Sequence, residues 1–180
     1  MTKQLAKYSV PAENSRVIRV FLSSTFRDME MERSALVKLF KGLQVKAASR
    51  GATISMVDLR RGITEEDAKS GKVVEICLKE IVNSRPFFIG MVGDRYGWCP
   101  SYEDLSQTLN DSLEYRWIED DLNHHLSVTE IEMQFGVLRN PNPLHAYFYI
   151  KQSADDDLSC PKEESLKLKC LKGTLACAGV

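Results

Sequence analysis

The run Val17-Ile18-Arg19-Val20-Phe21-Leu22 is apolar at five of six positions and stops abruptly at Ser23-Ser24-Thr25. A strand with apolar side chains on both parities buries both of its faces. That pattern belongs to a parallel sheet covered by helices on each side, and not to an antiparallel sheet with one wet face. The feature therefore calls for an α/β chain, in which helical patterns alternate with further runs of the same kind.

They do alternate. Met31, Leu36, Val37, Phe40, Leu43 and Val45 recur mostly at helical spacing among Glu30, Glu32, Arg33, Lys38 and Lys41. This predicts an amphipathic helix over residues 28–48 with Asp28, Glu32 and Arg33 on its solvated face. Gly51 leads into a second strand over 53–59. A polar loop, Asp58-Leu59-Arg60-Arg61-Gly62-Ile63-Thr64 and on to Gly71, precedes a second helix marked by Val73, Val74, Cys77, Leu78, Ile81 and Val82. Pro86 breaks that helix, and Phe87-Phe88-Ile89-Gly90-Met91-Val92-Gly93 reads as a third buried strand. Residues 94–126 read as a long connection with a helical portion. Ser127-Val128-Thr129-Glu130 is a capping box, with Ser127 accepting backbone N–H bonds and Glu130 reaching back, so a helix carrying Ile131, Phe135 and Leu138 starts there. It ends before Asn140-Pro141-Asn142-Pro143. His145-Ala146-Tyr147-Phe148-Tyr149-Ile150 supplies a fourth strand, and an acidic loop at 155–157 and a helix over 163–175 close the chain.

The expected fold is thus α/β, a flavodoxin-like parallel sheet with right-handed crossovers and helices on both faces. A flexible segment 1–15, a domain 16–150 and a tail 151–180 divide the chain. The length, 180 residues, suits one core. A formal net charge of -1 leaves no electrostatic footprint for nucleic acid or an anionic membrane, so neither is an expected partner. The first fifteen residues are polar and include Pro11, unlike a secretion signal or a membrane span, and a cytoplasmic location follows as the expectation. Five cysteines, Cys77, Cys99, Cys160, Cys170 and Cys177, form an odd set with no zinc-knuckle spacing. They are read as reduced thiols, with no metal site.

In such a sheet ligands bind at the carboxyl ends of the strands, where the strand order reverses. Three polar loops lie at such ends: Ser23-Ser24-Thr25-Phe26-Arg27-Asp28, Asp58-Leu59-Arg60-Arg61-Gly62, and Gly93-Asp94-Arg95-Tyr96-Gly97-Trp98. A fourth place, the helix start before Ile131, carries Glu130 and Glu132. Plain structural roles compete at each: Ser23 to Thr25 as a cap for the first helix, Asp58 and Arg60 as a local pair, Trp98 as a packing anchor.

Phe21 to Met29 with Glu32-Arg33, then Gly93 to Trp98, then Ser127-Val128-Thr129-Glu130-Ile131-Glu132, resembles the DUF4062 family, a TIR-like group found at the amino termini of NACHT and other STAND-type NTPases. The resemblance covers about residues 17–150. More distantly the layout resembles TIR domains, whose enzymes cleave the bond between nicotinamide and ribose in NAD. That resemblance implies a catalytic glutamate at Glu132, because the small residue Gly136 lies four positions on, with Glu130 as the competing choice. It also implies a nucleotide-binding set of Ser23, Ser24, Thr25, Arg27, Asp58, Arg95 and Trp98, with Phe26 as a second stacking ring. Val128 and Thr129 depart from the TIR pattern, which has an aromatic and a cysteine there. The family continues past the final helix into another strand, so excised fragment, short isoform and complete protein are all open for a chain ending at Val180.

Three functions follow from the resemblance. One is a signalling effector that hydrolyses NAD or a related nucleotide when the parent NTPase oligomerises, with NAD as substrate and no cofactor. Another is a non-enzymatic assembly module, acting through homo-oligomers or the parent NTPase and using Arg60, Arg61 or Arg95. The third is an enzyme of the nucleoside deoxyribosyltransferase type. Fold alone does not choose among them.

Overall fold

A computed structural model describes residues 16–59, 72–111, 115–120, 124–140, 145–152 and 162–178. The segment 1–15, the loop with Arg60 and Arg61, the acidic loop 155–157 and Cys160 lie outside the described residues.

Four strands, β1 (Val17–Ser24), β2 (Thr53–Val57), β3 (Phe87–Val92) and β4 (His145–Ile150), form one sheet in the order β2-β1-β3-β4, and every pair is parallel. Parallel neighbours need crossovers, and helices supply them: α1 (Glu30–Ala48), α2 (Val73–Ser84), α3 (Tyr102–Asp111), α4 (Arg116–Asp120) and α5 (Val128–Met133), with α6 (Lys162–Cys177) after the last strand. A π-helical turn over Gln134–Leu138 continues α5. The expected flavodoxin-like α/β fold is present.

Strand alternation sorts the side chains into two layers. Phe21 stands opposite Phe88 in the register, their rings stacked at 5.6 Å, and this face packs against α2, α3, α4, α5 and α6 in the main core. Leu168, Leu171 and Leu175 of α6 belong to that core, so the tail helix packs on the same sheet as the rest. Leu22 and Met91 point the other way, into a smaller cluster with Met29 and Leu36 beside α1.

Close packing within the sheet and of the helices on it rests on missing side chains. A Cβ at Gly90 would lie 2.4 Å from ring carbons of Phe148, and one at Gly136 would lie 2.7 Å from the Phe88 ring. Gly90→Ala should therefore force Phe148 out of its rotamer and cost about 1–3 kcal/mol, as overpacking does in tight cores. A lowered melting temperature in a calorimetric scan checks this, and an unchanged one would show that β4 yields freely.

Three expectations need correction here. The first strand does not stop at Leu22 but continues through Ser23 and Ser24, which are buried and hydrogen-bonded and so tolerate a strand interior. The first helix does not bury the apolar set read from the sequence: Met31 and Val45 are exposed, while Arg33, expected in solvent, is 1% exposed. Its inner face runs along Met29, Arg33, Leu36 and Phe40, at helical spacing, so the arginine lies within the apolar stripe. The capping alternative for Ser23 to Thr25 also falls. The N-cap of α1 is Met29, and no side chain caps it.

Candidate functional site

The strand order places β1 beside β3, while the connections leave in opposite directions, β1 through α1 to β2 and β3 toward β4. That is the switch point at which open α/β sheets bind ligands. A cleft of about 450 Å³ opens there, within the range of small-molecule sites. Ser24, Thr25, Phe26 and Arg27 line it from the end of β1, Arg95, Gly97 and Trp98 from the loop after β3, Cys77 from α2, Thr129 and Glu132 from α5, and Glu164 from α6.

Successive residues of β1 serve different sides of the sheet. Ser23 faces α5, and its Oγ donates to Glu132 Oε2 at 2.5 Å. Ser24 faces α1, where Arg33 holds it twice: Nε donates to Ser24 Oγ at 2.5 Å and Nη2 to the Ser24 carbonyl at 2.6 Å. Arg33 Nη1 also pairs with Asp58 at 2.5 Å, and its guanidinium lies 5.0 Å from the centre of the Phe26 ring. A buried guanidinium needs such partners to repay its lost hydration.

Glu132 is only 8% exposed. Burial pushes its carboxyl up to about 7, against the pull of the hydrogen bonds from Ser23 and Cys77 and of the Arg33 charge. A carboxyl near neutrality in a cleft is characteristic of functional sites. Burial, with the Glu132 charge and hydrogen bond adding to it, pushes the Cys77 thiol well above its ordinary value.

The two loops at the cleft mouth are tied together. Thr25 donates to Asp28 Oδ1, and Asp28 Oδ2 accepts from the backbone N–H of Asp94 at 2.7 Å and of Arg95 at 3.1 Å. A Cβ at position 93 would lie 2.2 Å from Asp28 Oδ2, so Gly93 is what lets the aspartate reach those amides. Gly97, with φ of 101°, carries the loop past Thr25 and Thr129 in a conformation that favours glycine.

Of the residues singled out by sequence, Glu132, Ser24, Thr25, Phe26, Arg27, Arg95 and Trp98 come together in the cleft, and Ser23 bonds Glu132 beneath it. Asp58 is not among the cleft residues and is bonded to Arg33 of α1, while the pair with Arg60 lies outside the described residues. Trp98 is no packing anchor; it is 53% exposed at the rim. Ser127 caps α5 by accepting from Glu130 N at 3.2 Å. Glu130 does not reach back to complete the box, since its carboxylate takes the Tyr96 hydroxyl, and it is not among the cleft residues. Arg33 and Cys77 are two of the contributors that sequence reasoning missed. A charge inside the stripe of Met29, Leu36 and Phe40 was the available signal for the first; none marked the second.

No helix among the described residues is long and apolar enough to cross a membrane. No solved structure matches the chain. Telomerase protein component 1 of Rattus norvegicus is 41% identical over 122 residues, 67% of this chain and 4% of that protein. A TPR repeat-containing protein of Dictyostelium discoideum is 29% identical over 147 residues, 77% of this chain and 9% of its own length. The NACHT domain- and WD repeat-containing protein 1 of Mus musculus is 33% identical over 78 residues, 40% of this chain and 5% of that protein. The chain thus spans less than a tenth of each of these relatives. The profile described as domain of unknown function DUF4062 matches residues 19–165, most of the chain, and the chain belongs to that family.

Proposed function

We propose that this domain is a TIR-like effector that hydrolyses NAD or a closely related nucleotide, with Glu132 as the catalytic carboxylate. The observation that carries the reading is the position of Glu132, buried and bonded to Ser23, on the wall of a cleft rimmed by Arg27, Arg95, Phe26 and Trp98.

The chemistry needs little more. The glycosidic bond between ribose C1′ and the nicotinamide nitrogen breaks, and nicotinamide leaves with the electron pair. The positive charge left on the sugar is stabilised by an adjacent carboxylate, as in glycoside cleavage. Water then adds at C1′ and releases a proton, giving ADP-ribose. Glu132 in its ionised form accepts the ribose hydroxyls, Arg27 and Arg95 neutralise the diphosphate, and Trp98 or Phe26 stacks on a ring. Both arginines are exposed and without an ion pair among the described residues, so their charge is available.

The NACHT-named relative supports a setting in which a larger protein brings copies of this domain together. The telomerase name describes a whole rat chain of which the matched segment is 4%, and it is not carried to this domain. The test is nicotinamide release from NAD by the 180-residue protein displayed at high density on vesicles through a terminal tag. Release that rises with surface density is expected. Folded, densely displayed protein that releases none would reject the enzymatic reading in favour of an assembly module, and cleavage of free nucleosides alone would favour the deoxyribosyltransferase type.

A further inference from the structure

A carboxylate on the wall of a cleft repels phosphate and accepts hydrogen bonds from hydroxyl groups. Two of the described residues that line the cleft carry one, Glu132 and Glu164. Glu132 has a place in the chemistry argued above; Glu164 has none. It stands in the first turn of α6, whose Leu168, Leu171 and Leu175 are buried in the main core, so a packed helix fixes its backbone. Its Oε1 accepts the backbone N–H of Tyr96 at 3.2 Å, between Arg95 and Gly97 of the loop that lines the same cleft. Among the described residues nothing bonds its Oε2. Lys167, the nearest cation on its own helix, is bonded to Glu163, and no ion pair joins Glu164 to Arg95 or to any other described residue. One carboxylate oxygen at the cleft wall is thus left for a ligand.

We propose that Glu164 binds the hydroxyl groups of the second ribose of the dinucleotide and makes the cleft selective for NAD over its 2′-phosphorylated form. This rests on the reading of the cleft as a dinucleotide site, with Glu132 at the ribose that loses nicotinamide. A dinucleotide presents one diphosphate and two ribose diols. The guanidinium groups of Arg27 and Arg95 match the diphosphate, Glu132 takes the first diol, and the second diol meets the carboxylate that remains. A phosphate on the 2′-oxygen of that ribose would face Glu164 as like charge against like charge, with the hydroxyl donor gone as well. Acidic side chains that bond the ribose 2′-hydroxyl discriminate at dinucleotide sites in this way. The bond to Tyr96 holds this one in place while it does so.

The experiment measures binding and needs no turnover. The 180-residue protein is titrated calorimetrically with ADP-ribose and with 2′-phospho-ADP-ribose at one ionic strength. The wild type should bind ADP-ribose at least about tenfold more tightly, because like charges brought together at a binding surface are strongly unfavourable. Glu164→Gln keeps an oxygen for the Tyr96 N–H and removes the charge. Its melting temperature should hold, while most of the preference disappears through tighter binding of the phosphorylated ligand. Glu164→Arg should invert the preference.

No preference in the wild type, or one left unchanged by Glu164→Gln, overturns the proposal. An equal loss for both ligands in that variant also overturns it, since the residue would then be a brace for the loop alone. Failure of both ligands to bind does the same. Protein that shows the preference but releases no nicotinamide from NAD would reject the hydrolytic function and leave Glu164 assigned to the ribose.

Discussion

Glu132→Gln should lose at least about 100-fold in turnover, the scale on which removing one charge-stabilising group acts, while making the folded protein more stable at alkaline pH. The two effects have one cause. The folded chain holds this carboxyl at about 7 against an ordinary 4.5. Below pH 4.5 the group is neutral in both folded and unfolded chains and costs nothing. As pH rises from 4.5 toward 7 the unfolded chain gives up the proton and the folded chain keeps it, so stability falls; above 7 the full penalty is in place. At about 1.4 kcal/mol per pKa unit this amounts to roughly 3 kcal/mol. Glutamine is neutral throughout and escapes it. Urea titrations of both proteins at pH 4.5 and pH 8 should show the stability difference moving toward the variant by about that amount, with contributions from other groups cancelling in the comparison. A difference that does not change with pH would mean that Glu132 meets water freely, and the catalytic reading would go with it.

Arg33→Met should destabilise the domain by about 3–5 kcal/mol, because removing one member of a buried ion pair strips the other of a close opposite charge. Here Asp58 loses its 2.5 Å partner while only 11% exposed, and Ser24 loses donors to both its hydroxyl and its carbonyl. Against a typical total of 5–15 kcal/mol that is a large share. The double variant Arg33→Met, Asp58→Asn should recover part of the loss, since the carboxylate charge that Arg33 met is gone as well. Chemical denaturation of the wild type, both single variants and the double variant closes the cycle. Purely additive losses would show that the guanidinium and Asp58 are not coupled, and that Arg33 stabilises through packing on Phe26 and α1 alone.

The contrast between these two residues shows what the sequence could convey. Continuous apolar runs and the 3.6-residue period record which positions meet apolar neighbours, and they located β1, β3 and α2 to within a few residues, while the capping box located the start of α5 at Ser127. Glu132 was singled out through the resemblance to TIR domains, in which a small residue, here Gly136, lies four positions on; the missing side chain of Gly136 allows close packing on Phe88. Arg33 was read as solvated because a charged side chain among charged neighbours normally is. What reverses the expectation is a long-range fact, the arrival of Asp58 from the end of β2 and of Ser24 from β1. Cys77 was illegible for a related reason. On an apolar helix face a thiol reads as a small hydrophobe, and only the fold brings a carboxylate to it. Serines 23 and 24 were assigned to a loop because polar residues usually end strands; their partners arrive 109 and 9 residues later.

Asp28 bears on how any anion would be held in the cleft. Main-chain amides at the end of a strand are a ready cradle for phosphate, rigid and insensitive to side-chain motion. In this domain the amides of Asp94 and Arg95 are already taken by the Asp28 carboxylate. A phosphate entering the cleft therefore meets the guanidinium groups of Arg27 and Arg95 at the exposed rim in place of those two N–H groups. Attraction between exposed charges is screened over about 10 Å at 0.1 M salt. Grip on the ligand would then rise and fall with ionic strength, and the ordinary salt content of the surrounding solution becomes one of the variables that set how full the cleft is.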